Sequence, residues 1–263
     1  MNCPSPFPAR ARPAPGPQLA ARLCYNGGMV TKTVGEKTRL ATEQPAAVPR
    51  LENGDHLTRV EFERRYAAAP HIKKAELIEG VVHVPSPVSL AHSSYHATLI
   101  GWLLQYRAAT KGVRLLDNAT IILDRENEVQ PDAALCIAEG GQTRRANEFL
   151  AGAPELVVEV AASSASYDLH DKLRVYRRNG VQEYVVLLAL EQQTVWYRLN
   201  EGRYDELPPD ADGIYRSEAF PGLWLHAQAF WADDLPALMA TLQAGLAAPE
   251  HAAFVAALSS TQA

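Results

Sequence analysis

Read by the spacing of its apolar positions, the chain divides into a proline-rich start and a body of alternating helical and strand-like patterns. Residues 1–50 show almost no apolar periodicity, and eight of the 18 prolines fall there. Such a segment cannot bury enough surface to offset its ordering entropy, so a disordered Pro/Ala/Arg-rich tail is expected. Its arginines and scarcity of acids also fit an organelle transit peptide, but such peptides are normally serine-rich too, so an extended tail is the better reading, with Met29 as an in-frame alternative start. Past Leu57 the pattern changes. Thr58 and Glu61 form a capping-box signature ahead of a short helix with Phe62 and Tyr66 on one face, stopped by Pro70. Residues 76–84 read as two short strands around Glu79-Gly80. Between His92 and Thr110, Tyr95, Leu99, Trp102, Leu103 and Tyr106 recur at helical spacing, with Gly112 as the stop.

Strands are then expected at 113–116, 119–123 and 133–137, followed by the most apolar strand, 156–162. Side chains alternate along a strand, so Leu156, Val158 and Val160 face one side while Val157, Glu159 and Ala161 face the other. A helix is predicted from Ser166 as its N-cap, with Leu169, Leu173 and Tyr176 as the buried stripe and Asn179-Gly180 at its end. Strands at 181–189 and 194–199 follow, then a docking turn over 220–224. Strands that cluster centrally, with helices before, between and after, predict an α/β (α+β) fold with a mixed central sheet flanked by helices. The domain is placed at 51–235, with residues 236–263 as a helical tail.

Composition narrows the function. A chain that is 47% hydrophobic and 21% charged is an ordinary globular protein. The charge is uneven: residues 1–50 hold seven Lys/Arg against two Asp/Glu, and residues 51–263 hold 18 against 28. Such an acidic body argues against binding nucleic acid by bulk charge, and is compatible with a carboxylate metal site. Cys3, Cys24 and Cys136 form no metal-ligand spacing, Cys136 reads as a small buried hydrophobe, and a reducing cytoplasm is expected. No run of 18 apolar residues predicts a membrane span.

The chemistry concentrates between Asn127 and Tyr184. Asp132 follows Pro131 at a strand start, and Glu159 interrupts an apolar strand, where an acid needs a cation, a metal or a donor. Asp168 and Lys172 are four apart on the next helix, which is an ordinary surface ion pair or a lysine turned back toward Glu159. His92 and His96 also share a helical face; with Ser93 in place of the HExxH glutamate, a solvated or capping pair is the better reading than zinc ligands.

Taken in order, Glu76-Leu77-Ile78-Glu79-Gly80, His92 after Pro85 and Pro87, Gln130-Pro131-Asp132, residues 154–160, Asp168 with Lys172 and Tyr176, and residues 180–184 resemble the PD-(D/E)XK nuclease superfamily. The nearer likeness is to its bacterial Uma-type restriction endonucleases, over about residues 57–225. The resemblance implies a restriction-endonuclease-like core and a DNA endonuclease dependent on Mg²⁺, with Mn²⁺ able to substitute. It carries metal binding to Asp132 and Glu159, a further catalytic acid to Glu76, and the catalytic lysine to Lys172. The superfamily's usual lysine position, two after the glutamate, is Ala161 here. The tryptophan and aspartate usual after Glu183-Tyr184 are also missing, as is the proline usual after Val160. An inactive nucleic-acid-binding or protein-interaction module is therefore the alternative. Cutting both strands of a duplex favours a homodimer.

Overall fold

A computed structural model describes residues 47–162 and 164–260, all within one compact unit. The expectations for the proline-rich start, including Met29, Cys3 and Cys24, fall on residues 1–46 and lie outside the described residues. The first half runs α1 (Arg59–Ala67), β1 (Glu76–Ile78), β2 (Val81–His83), α2 (Leu90–Ala109), β3 (Val113–Asp117), β4 (Ile121–Ile122) and β5 (Glu128–Val129). Next come β6 (Ala133–Ile137), β7 (Arg144–Ala146), β8 (Phe149–Ala151), β9 (Leu156–Ala161), α3 (Ala165–Tyr167) and, after a π-helical turn over Asp168–Lys172, α4 (Leu173–Asn179). The remainder is β10 (Glu183–Leu188), β11 (Gln193–Asn200), β12 (Arg203–Glu206), β13 (Ile214–Arg216), β14 (Trp224–His226), α5 (Ala227–Trp231), α6 (Leu235–Leu246) and α7 (Pro249–Ser260).

The central sheet has the order β12-β11-β10-β9-β6-β3 and is mixed: β9 and β10 run parallel, and the other pairs run antiparallel. Parallel neighbours need a crossover, and here it is α3, the π-helical turn and α4. The alternation along β9 decides what each face meets. Leu156, Val158 and Val160 join Leu99, Trp102, Leu103 and Tyr106 of α2 in one apolar cluster. Val157 and Ala161 join Val175 and Tyr176 of α4 in another, together with Ile78, Ile121, Val129 and Leu150. Those last four belong to or flank a second six-stranded sheet, β2-β1-β5-β4-β8-β7, which the hydrophobic pattern shows only as short runs.

Several local expectations are refined. Thr58 Oγ1 accepts from the Glu61 amide at 3.4 Å, but the Glu61 side chain turns to Arg64 and Arg65, so the capping box is half made. Glu79 (φ 51°) and Gly80 (φ 76°) both lie in the left-handed region, as the tight turn joining β1 to β2 requires. The crossover helix starts at Ala165, one residue before the expected cap; Ser166 lies inside it. Ser164, at the cap position, bonds the Asp168 carboxylate at 2.6 Å instead of a backbone N–H. The segment read as a helical tail is packed: Leu238, Leu242 and Leu258 sit in the same cluster as α2 and β9. Leucines four apart on α6 present one continuous apolar edge, which the core takes up. No described helix is long and apolar enough to cross a membrane.

Candidate active site

The four candidate residues meet at one place, each from a different element. Glu76 opens β1, Asp132 immediately precedes β6, Glu159 sits in β9, and Lys172 closes the π-helical turn of the crossover. Register explains the Asp132–Glu159 pairing: Ala133 lies opposite Val158 in the antiparallel β6–β9 pair, which puts Asp132 opposite Glu159 on the same face. The Val160 amide donates to Asp132 Oδ2 at 2.8 Å and ties the two strands at this point.

Lys172 is the hub. Its Nζ lies 2.9 Å from Glu159 Oε1, 3.0 Å from Glu76 Oε2 and 3.6 Å from Asp168 Oδ1. All four side chains are buried, with 5% or less of each exposed. This is not the surface i,i+4 pair of weak effect: three carboxylates surround one ammonium in a place that water barely reaches. Burial would lower the lysine, but Glu159, Glu76 and Asp168 outweigh it and hold the ammonium charged well above its ordinary range. Burial pushes the Glu159 carboxyl up, and Asp132, Asp168 and Glu76 add to it while Lys172 opposes. Asp132 goes the other way. Burial would raise it, but the His92 bond, the Lys74 ammonium and the Val160 amide together hold it below the usual carboxylate range.

The supporting shell comes from distant parts of the chain. The Tyr176 hydroxyl donates to Glu159 Oε1 at 2.9 Å, and the Gln130 amide donates to Glu76 Oε1 at 2.7 Å. Around Asp132, His92 Nε2 lies 3.2 Å from Oδ2, Lys74 Nζ 3.3 Å from Oδ1, and His96 Nε2 3.1 Å from the backbone carbonyl. The two histidines are half-buried rather than solvated, and α2 aims both at Asp132. Ser89, one turn ahead, caps that helix by accepting from the His92 amide at 3.2 Å. Two buried polar atoms without a partner border the cluster, His92 Nδ1 and the Tyr167 hydroxyl, whose ring stacks on His83 at 4.3 Å. Groups of this kind are where a substrate or an ordered water completes the bonding. Lys74 had no local sequence signal, because its partner Asp132 lies 58 positions away along the chain.

The donor set suits a hard cation. Asp132 and Glu159 offer carboxylate oxygens, and the bonds to Glu159 both land on Oε1, leaving Oε2 for a ligand. Among the described residues no group of three or more His, Cys, Asp or Glu is set to hold an ion. Magnesium tolerates this, since it keeps several waters and takes one or two protein carboxylates.

Comparison with known proteins bears on the fold and the family. A protein of Anabaena variabilis, solved as "a putative nuclease belonging to DUF820", superposes with a TM-score of 0.51 and 16% identity, covering 64% of this chain and 96% of that one. No curated protein matches the chain. A family model, Uma2, described as "putative restriction endonuclease", matches residues 59–228, which includes all four residues of the cluster. The chain belongs to the Uma2 family.

Proposed function

We propose that this protein is a DNA endonuclease that uses Mg²⁺, or Mn²⁺ in its place, held by Asp132 and Glu159. The observation that carries the reading is the buried meeting of Glu76, Glu159 and Asp168 around Lys172, with Asp132 opposite Glu159 on the neighbouring strand, inside a nuclease-like fold. The ion would supply charge neutralisation at the phosphate and acidify a water molecule. Asp132, kept ionised by its donors, and Glu159 would bind it. Lys172 stays protonated and so does not take a proton; it stabilises the negative charge that develops as water adds to phosphorus and a P–O bond to the sugar breaks. Glu76 is a positioning residue, holding the lysine at 3.0 Å while Gln130 holds Glu76. Tyr176 does the same for Glu159. A single site nicks one strand, so breaking both strands of a duplex takes two copies or two visits.

A supercoiled-plasmid assay tests this. Open circles should form with magnesium or manganese and not with chelator, and Asp132→Ala and Glu159→Ala should each slow nicking at least about 100-fold. Nicking that continues undiminished in either variant, or in chelator, sinks the assignment. The competing reading, a module that binds but does not cut, predicts retention of DNA without nicking under every metal condition.

A further inference from the structure

The cations of the described residues differ in what holds them. Those around the acid cluster are held in ion pairs: Lys74 with Asp132, Lys172 with Glu159, and Arg174 and Arg178 with Glu79. Arg107, Lys111 and Arg114 are different. They are exposed, they make no ion pair among the described residues, and they line one hollow of about 660 Å³. Glu139 is the one acid in its lining, so the hollow is net positive on a body where acids outnumber bases 28 to 18. Such a hollow attracts an approaching polyanion.

The topology ties the hollow to the acid cluster. Arg107 lies in the last turn of α2, Lys111 in the turn that follows, and Arg114 on β3. Arg114 lies opposite Cys136 on β6, and Cys136 is four residues from Asp132, so Arg114 stands on the same face of the sheet as Asp132 and Glu159. At about 3.4 Å per residue the separation along the strand is about 14 Å. One strand of a duplex carries a phosphate about every 3.4 Å of axis, so that span covers about four phosphates. β3 is an edge strand, with no neighbour beyond it, and its other end reaches the cluster directly: Asp117 Oδ1 lies 3.2 Å from His96 Nε2.

We propose that Arg107, Lys111 and Arg114 form a phosphate anchor that holds the nucleic-acid backbone along the β3 edge, about four phosphates from the one presented to Asp132 and Glu159. This rests on the nuclease reading, and the test separates the two. Binding of a short labelled duplex to the full chain is followed by fluorescence anisotropy in chelator, across a salt series. The combined R107E/K111E/R114E variant should bind about 30-fold more weakly, and its slope of log affinity against log salt should fall by about two to three. Magnesium-dependent hydrolysis of bis(p-nitrophenyl) phosphate, too small to reach the hollow, should be unchanged in the charge-swapped variant. Should that variant fold poorly by circular dichroism, Arg114→Gln alone carries the test, with a slope change of about one. A wild-type protein that nicks DNA and a swapped variant with unaltered affinity and slope overturn the anchor alone. A wild type that does not bind nucleic acid overturns both readings, and points the cationic hollow toward an acidic protein partner.

Discussion

Two glutamates on neighbouring parallel strands are almost equally hidden, Glu159 on β9 at 3% exposure and Glu183 on β10 at 1%, and they do opposite things. Glu183 points to the sheet face covered by α2. Four neutral donors converge on it: Ser217 Oγ at 2.6 Å and Trp196 Nε1 at 3.2 Å on one oxygen, the Glu218 and Ala219 amides at 2.6 and 3.0 Å on the other. It fastens the 217–219 turn to the sheet and has no capacity left. Glu159, on the other face, receives an ammonium and a phenol on a single oxygen and stands among three further acids. A buried acid alone does not mark a site. What marks one is an acid whose partners are charged and whose lone pairs are not all used.

The comparison breaks or holds on stability against activity. Glu183→Ala leaves four buried donors unmatched and should lower unfolding free energy by about 3–5 kcal/mol, read by thermal or urea unfolding, while protein that remains folded still nicks. Glu159→Ala should lose nicking yet cost less than half as much, because its removal relieves its repulsion with Glu76, Asp132 and Asp168 while Lys172 keeps Glu76 and Asp168. Equal destabilisation by the two substitutions would refute the distinction.

A third buried acid sharpens it. Glu128 has neither the donors of Glu183 nor the cation of Glu159: Arg59 is 3.9 Å away, Oε2 lacks a hydrogen-bond partner, and Glu63 is close. Burial, and then Glu63, push its carboxyl up to about 7 from the ordinary 4.5. The folded form therefore holds a proton that the unfolded chain has released between those values, so this contribution is present below about pH 4.5 and is lost as pH rises to about 7. Glu128→Gln should remove that slope and stabilise the protein near neutrality by on the order of 2 kcal/mol, measured as unfolding free energy against pH.

The smallest expected effect is on the tyrosine that steadies Glu159. Tyr176→Phe keeps the ring in its core position and deletes one hydrogen bond, so nicking should slow about 10-fold with stability altered by about 1 kcal/mol. Trp196→Phe, which deletes one donor to Glu183, should do the reverse, costing stability and sparing the rate. A Tyr176→Phe enzyme with wild-type turnover would mean that Glu159 needs no orienting.

Local pattern made part of this legible. The two-residue period of β9 gave the facing of Glu159, and the helix after it gave a lysine returning toward the strand. Only the order of Glu76, Asp132, Glu159 and Lys172 along the chain, which resembles a known family, links the four; nothing in spacing alone joins Glu76 to a lysine 96 positions later. His92 and His96 were visible as a helical pair, but their target, Asp132, is 40 and 36 residues away. The Glu183 fastening was hidden for the same reason, since its donors come from positions 196 and 217–219. Backbone periodicity reports which way a side chain faces, and only the fold reports what it faces.

The packing of α6 and α7 bears on where the chain can be cut. The stretch recognisable as Uma2 stops at residue 228, yet Leu238, Leu242 and Leu258 complete the cluster that covers the α2 face of the sheet. At one contact the fit is so close that Gly245 of α6 lies against the Gly222 carbonyl, 2.4 Å from where a side chain would begin. The stretch that matches the family model is thus shorter than the stretch that packs into the core. A chain trimmed to the family boundary would keep every residue of the acid cluster and lose the wall behind it.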